Sequence, residues 1–212
     1  MKRYFITGTD TDCGKTYVTS SLLRYFDQTE AIKPIASGCI EVDGQLVSTD
    51  AQQLQKNSDL SLDVINPWRF KLPLSPHIAA KEQGEYVSAK EIADYCLNIQ
   101  LEGIERLFIE GAGGLMVPLN DSETWIDFLK MTEIPVILVV GMKLGCINHA
   151  ILTSLVLQSY NIPCAGWIAN CIDPQLLHLS ANIETLKSRI NAPLLTTLSF
   201  SGEVEGMHEC LL

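Results

Sequence analysis

Nine residues near the start of the chain, Gly8-Thr9-Asp10-Thr11-Asp12-Cys13-Gly14-Lys15-Thr16, combine types that together handle a polyphosphate. Glycines allow backbone N–H groups to close on phosphate oxygens. A helix N-terminus directly after them adds partial positive charge. Lys15 is placed to reach terminal phosphates, and the Thr16 hydroxyl to hold Mg²⁺. The apolar run Tyr4-Phe5-Ile6 precedes this loop and helix-forming positions from Tyr17 to Phe26 follow it, the layout of a phosphate-binding P-loop. One detail departs from the common motif. Five residues separate Gly8 from Gly14 where four are usual, and Thr9 stands where the first glycine belongs. With Asp10 and Asp12, this marks a specialised P-loop.

Other reactive types fall at the ends of apolar runs. Glu110 closes one such run and precedes Gly111-Ala112-Gly113-Gly114. A buried carboxylate is costly unless paired or metal-bound, so Glu110 fits a Walker-B-type acid acting on Mg²⁺ better than a loop cap. Asp50 reads either as a second Mg²⁺ ligand or, more simply, as the N-cap region of a short helix. Lys33 interrupts an apolar strand, where it would add positive charge beside a transferring phosphate. Ser37-Gly38 reads equally as an anion-binding turn or a plain loop. Gly145-Cys146-Ile147-Asn148 opens a helix after the strongest apolar run, and its free amides suit a carboxylate or phosphate. Cys13 reads as a small filler before it reads as a reactive thiol. His149 reads as a surface or capping residue, and Trp68, Trp125 and Trp167 as packing residues.

These residues need a scaffold that gathers them. Strands are expected at residues 3–7, 31–36, 106–110, 135–141, 163–169 and 194–198, with helices near 15–27, 88–102, 147–160 and 176–190. Unbroken apolar strands alternating with helices predict an α/β fold: a doubly wound, mostly parallel sheet with helices on both faces, P-loop NTPase-like. Such sheets bind ligands at the carboxyl ends of their strands, where the residues named above fall. Residues 37–87 form a polar, turn-rich insertion with short helices near 50–56 and 76–83, suited to substrate contacts. No repeat or linker divides the chain, so residues 1–212 are expected to form one domain.

Composition narrows the partners. The chain has 212 residues, 47% hydrophobic and 19% charged, with a net charge of −10. That acidity disfavours nucleic acid and anionic membrane. No apolar run approaches the ~20 residues of a membrane span. Seven cysteines, at 13, 39, 96, 146, 164, 171 and 210, include no Cys-x-x-Cys pair. They predict free thiols in a reducing compartment rather than a disulfide framework or zinc site. A cytoplasmic location is expected.

The chain closely resembles the dethiobiotin synthetases, ATP-dependent cyclo-ligases of biotin biosynthesis. The matching segments are Phe5 to Thr11 with Gly14-Lys15-Thr16, Lys33-Pro34-Ile35-Ala36-Ser37-Gly38, Asp50, Asn66-Pro67, Ser75-Pro76-His77 and Glu110 to Gly114. They continue through Pro135 to Gly141, Lys143 to His149 and Ala165 to Asn170. The five-residue P-loop gap is itself a family trait. The resemblance implies 7,8-diaminopelargonic acid, CO₂ and ATP as substrates, Mg²⁺ as cofactor, and a homodimer with active sites near its interface. It implies catalytic roles for Lys33, Lys15, Thr11 and Ser37, and Mg²⁺ ligation by Thr16, Asp50 and Glu110. The nucleotide would meet Asp12, Cys13, Gly14, Lys15, Thr16, Tyr17, Asp50, Glu110, Gly111, Ala112 and Gly113, with its adenine near Asn170, Cys171, Ser199, Phe200 and Ser201. The diamine would meet Thr11, Lys33 and Ser37. Its carboxylate tail would meet Gly145, Cys146, Ile147 and Asn148 of the partner subunit. Departures are Cys13 for an aliphatic residue, Asp12 for a glutamate, Asn182 for a tyrosine, and Leu198-Ser199-Phe200 in place of an Ile-Pro pair.

Three other readings are weaker. A ParA-like switch ATPase carries an additional lysine early in the P-loop, and positions 9 to 13 contain none. A cobyrinate-type amidating synthetase shares Gly-Thr-Asp-Thr but needs a glutamine-hydrolysing domain, which 212 residues do not accommodate. Lys15, Thr16 and Glu110 together argue against a non-enzymatic scaffold.

Overall fold

The computed structural model describes residues 1–204, 206–208 and 211. Strand β1 (Lys2–Gly8) leads through the P-loop into helix α1 (Lys15–Tyr25), and β2 (Thr29–Ile32) follows. The insertion carries β3 (Ile35–Ala36), the hairpin β4 (Ile40–Val42) and β5 (Gln45–Val47), helices α2 (Thr49–Gln55) and α3 (Leu62–Ile65), β6 (Trp68–Arg69) and α4 (Pro76–Glu82). Then come α5 (Ala89–Asn98), β7 (Arg106–Gly114), α6 (Trp125–Thr132), β8 (Val136–Gly141), α7 (Cys146–Ser159), β9 (Cys164–Asn170), α8 (Leu179–Arg189) and β10 (Leu194–Leu198). Six strands form one parallel sheet in the order β10-β9-β8-β1-β7-β2. This is the expected doubly wound α/β fold.

Alternation along the buried strands sends side chains to both faces. Phe5 packs with Ile92 of α5 and with Trp125 and Phe128 of α6. Its neighbours Tyr4 and Ile6 pack with Val18 and Leu22 of α1. Toward the β10 edge, Leu138 of β8 and Trp167 of β9 pack with Ala150 of α7 and Leu186 of α8. No helix among the described residues is long and apolar enough to cross a membrane. Cys13, Cys39, Cys96, Cys146, Cys164 and Cys171 are free thiols; Cys210 lies outside the described residues.

Three expectations need correction. The strand expected at 31–36 is two strands: β2 stops at Ile32, and β3 pairs with β6 in a separate small sheet. Pro34 has no N–H for a ladder, and Lys33 N–H donates to Ile65 O at 2.8 Å instead. Second, Glu110 lies inside a strand, because β7 runs on through Gly114. The glycine-rich run stays paired in the sheet, although Gly113 itself lies in the left-handed region at φ 64°. Gly111 lies so close to Phe5 that a Cβ would approach Phe5 Cζ to 2.6 Å. The β1–β7 register shifts between Ile6 and Gly8, where Gly8 pairs with Gly114. Third, α6 was not expected. Its start is fixed by a reciprocal cap between Thr124 and Asp127, a device worth about 1 kcal/mol.

Candidate active site

The P-loop geometry follows from its glycines. Gly14 caps α1 in the left-handed region, φ 85°, which an L side chain rarely adopts. A Cβ there would also overlap the Asn170 side-chain amide, which donates to Cys13 O at 2.9 Å. Asn170 is buried, so in this structure its amide braces the loop from β9. Lys15 is held back over the loop, its Nζ donating to Asp10 O at 3.0 Å. The Asp10 carboxylate accepts from Thr11 N–H at 2.8 Å and from Lys143 Nζ at 3.1 Å. Lys143 holds that carboxyl below the ordinary range, against the opposing effect of burial.

Three more charged groups converge beside the loop. Lys33 Nζ lies 2.7 Å from Glu110 Oε1 and 2.6 Å from Asp50 Oδ2. Thr16 Oγ1 donates to the same Glu110 Oε1 at 2.6 Å. Lys33 and Glu110 are buried; Asp50, in the first turn of α2, is half-exposed. The N-cap of α2 is Ser48, whose side chain accepts from Ala51 N–H, so Asp50 is free for the cluster. Burial alone would push the Lys33 pKa down, but Glu110 and Asp50 outweigh it and hold it above the ordinary lysine value. Burial likewise favours neutral Asp50, yet Lys33 holds its carboxyl below the usual carboxylate range.

The donor set fits Mg²⁺. Thr16, Asp50 and Glu110 offer hard oxygens in one hydrogen-bonded cluster. Glu110 keeps a buried second oxygen, Oε2, with no protein partner among the described residues. Ser37 Oγ is buried and unpartnered in the same way.

A cavity of about 740 Å³ joins these groups. Thr11, Asp12, Gly14, Lys15, Thr16, Tyr17, Lys33, Ser37, Asp50, Ala112 and Gly113 line it, whereas Gly111 and the fully buried Glu110 do not. Ala36, Ser75 and Pro76, named above only within matching segments, also line it, as do Gln53, Pro73, Leu74 and Val117, to which the sequence assigns no role. The turn-rich composition of residues 37–87 was the available signal for most of them. Asn66 was quoted only as part of a motif. Its buried amide donates to Lys33 O at 2.8 Å and Pro34 O at 3.2 Å, fixing the bend that presents Lys33. Trp125 also supports the cleft, its Nε1 donating to Ala112 O at 3.0 Å.

Several predicted residues stand outside the cleft. Cys13 is fully buried in the core beneath the loop, as a filler should be. Cys146 is buried too, and its N–H donates to Lys143 O at 3.0 Å, so it offers a ligand neither side chain nor amide. Gly145, Asn148 and His149 are exposed, Ile147 is half-buried, and Gly145 caps α7 at φ 92°. A second cavity of about 410 Å³ lies on the other flank of Thr11, between Gly114–Pro118 and Leu152, Thr153 and Val156. Cys171 N–H donates to Leu198 O at 2.9 Å, and Ser199, Phe200 and Ser201 form an exposed turn after β10.

Comparison with known proteins adds to this geometry. A family model described as an AAA domain matches residues 2–208. The ATP-dependent dethiobiotin synthetase BioD of Legionella pneumophila (strain Paris) is 59% identical over 204 residues, covering 96% of each chain. This chain belongs to the dethiobiotin synthetase family. A relative of the same name from Pseudoalteromonas translucida (strain TAC 125) is 43% identical over 207 residues, covering 95% of this chain and 91% of the other. Solved structures share the family's fold at low identity. The septum site-determining protein MinD of Pyrococcus horikoshii OT3, complexed with Mg-ADP, matches at 15% identity and TM-score 0.56, over 93% of this chain and 81% of that one. A ParA family ATPase from Chlorobium tepidum TLS matches at 11% identity and the same TM-score, over 94% and 85%.

Proposed function

We propose that the chain is the ATP-dependent cyclo-ligase that closes the ureido ring of dethiobiotin from 7,8-diaminopelargonic acid and CO₂. The observation that carries this reading is the buried Lys33 ammonium, held between Asp50 and Glu110 beside a P-loop in a chain of this family. One amine captures CO₂ as a carbamate and releases a proton. A carbamate oxygen attacks the γ-phosphorus, breaking its bond to the ADP oxygen and leaving a carbamic–phosphoric anhydride. The second amine attacks the carbonyl carbon, expels phosphate and closes the ring.

Positioning and charge stabilisation dominate such phosphoryl transfer. Lys15 releases Asp10 O and meets the terminal phosphates. Lys33 balances carbamate and phosphoryl charge. Thr11 and Ser37 accept or donate at the carbamate and amines, and the unpartnered Ser37 Oγ suits that task. Mg²⁺, held by Thr16, Asp50 and Glu110, would supply Lewis acidity at the phosphates. The Ser199 to Ser201 turn, with Asn170 and Cys171, would meet adenine.

The working unit is a homodimer of single-domain subunits in the cytoplasm. Leu144 is 92% exposed, and Leu152 and Leu155 on α7, with Met116 nearby in the second cavity, are about half exposed. A partner covering this surface would bring its own Gly145, Ile147 and Asn148 toward the substrate tail, with Cys146 left out because its amide and side chain are already occupied. Free thiols support the reducing compartment. The reaction is tested by measuring ADP release in bicarbonate and Mg²⁺ with and without the diamine. Diamine-dependent release of ADP with dethiobiotin formation is expected; ADP release indifferent to the diamine rejects the ligase reading.

A further inference from the structure

Helix α1 does more than present Lys15 and Thr16. Tyr17 and Arg24 stand seven residues apart, two turns along one side of the helix. Both reach the segment that follows β10. Tyr17 Oη donates to Gly202 O at 2.6 Å. Arg24 grips the Glu203 carboxylate, with Nε at 3.1 Å and Nη2 at 2.7 Å from Oε2 and Nη2 at 2.9 Å from Oε1.

The segment is itself a tight turn. Gly202 N–H donates to Ser199 O at 2.9 Å, and Ser201 sits at φ 56°. A Cβ on Gly202 would overlap Ser199 Oγ. At its base the turn is tied to β9, through the bond from Cys171 N–H to Leu198 O. The turn is therefore held from two sides, and both supports, α1 and β9, also hold the P-loop.

We propose that Tyr17 is a positioning residue for the nucleoside half of the nucleotide. Its hydroxyl latches the Ser199–Gly202 turn to the helix whose N-terminus receives the phosphates. The spacing between base turn and phosphate loop is thereby set before nucleotide arrives. The exposed Arg24–Glu203 pair adds little by itself; the partly buried Tyr17 bond carries the latch. This inference rests on the proposed role of the turn in meeting the base.

Tyr17→Phe removes the bond and keeps the ring. The test is equilibrium titration of the whole protein with MgATP and, separately, with Mg²⁺ tripolyphosphate, which has no nucleoside. Loss of one neutral hydrogen bond predicts a Kd for ATP raised about fivefold, with tripolyphosphate affinity unchanged. An unchanged ATP affinity overturns the proposal. So does equal weakening of both ligands, which would make Tyr17 a support of the P-loop alone. Neither titration needs turnover, so failure here is distinct from failure of the diamine-dependent ADP assay.

Discussion

Lys33 is the residue on which charge balance in the cleft depends. Its ammonium faces two carboxylates, one of them fully buried. Removing one member of a buried pair leaves an uncompensated charge, at a cost on the order of 3 kcal/mol. Lys33→Ala is therefore expected to melt earlier than wild type and to regain part of the difference when Mg²⁺ is added, because the proposed metal site would place the cation against the same carboxylates. Thermal unfolding with and without Mg²⁺ checks this, and a variant indifferent to the metal would contradict the assignment of Asp50 and Glu110. Turnover should fall by ~100-fold or more, as for loss of a transition-state charge contact, while ATP binding changes far less. Equal losses in kcat and ATP affinity would assign Lys33 to the nucleotide. The convergence itself was only partly legible. Lys33 stood out as a charge in an apolar run, and Glu110 as an acid before glycines. That they meet at Glu110 Oε1, across 77 residues, is a tertiary fact with no local signature.

At the scale of elements, the P-loop is a tight turn clamped from outside, with a glycine where only a glycine fits. Gly14→Ala adds a Cβ at φ 85° and drives it into the Asn170 amide. Backbone strain of about 1–3 kcal/mol follows, together with loss of the Asn170–Cys13 bond. The expected outcome is a protein that still folds but binds MgATP at least tenfold more weakly, measured by calorimetric titration. Normal affinity would mean that Asn170 moves aside without consequence. Elements with strong local signals were read well from sequence. The β-branched run of β8 and the glycine-flanked start of α1 needed no tertiary context. The break between β2 and β3 was missed because Pro34 weakened a strand without saying where its neighbours would pair. That β7 continues through Gly114 has no local signal, because a glycine-rich run reads equally as a turn; Gly111 is fixed against Phe5 and Gly114 pairs with Gly8, while Gly113 between them sits at φ 64°. Helix α6 does leave a local trace, the capping pair Thr124 and Asp127 three residues apart, but its eight residues are too short for a strong periodic signal.

For the whole molecule, the acidic chain and the apolar surface around α7 act at different ranges. The net charge of −10 repels polyanions at a distance. Leu144, Leu152 and Leu155 favour a close, uncharged contact. Leu155→Glu is expected to shift the proposed dimer to monomer in analytical ultracentrifugation without lowering the melting temperature by more than a few degrees, since Leu155 is half exposed. If the helix start of one subunit serves the other's substrate, the monomer should keep ATP affinity and show a raised KM for the diamine. A variant that stays dimeric would place the interface elsewhere.

Cys13 sits fully buried inside the P-loop, touching the space where side chains on Gly8 or Gly141 would have to go. No alkylating reagent can reach its sulfur while that packing holds. Modification must wait for the loop to lift from the sheet, so its rate is a stopwatch for local opening. The same enclosure that makes the thiol inert turns it into a native timekeeper, able to time the opening of the nucleotide site without any foreign label.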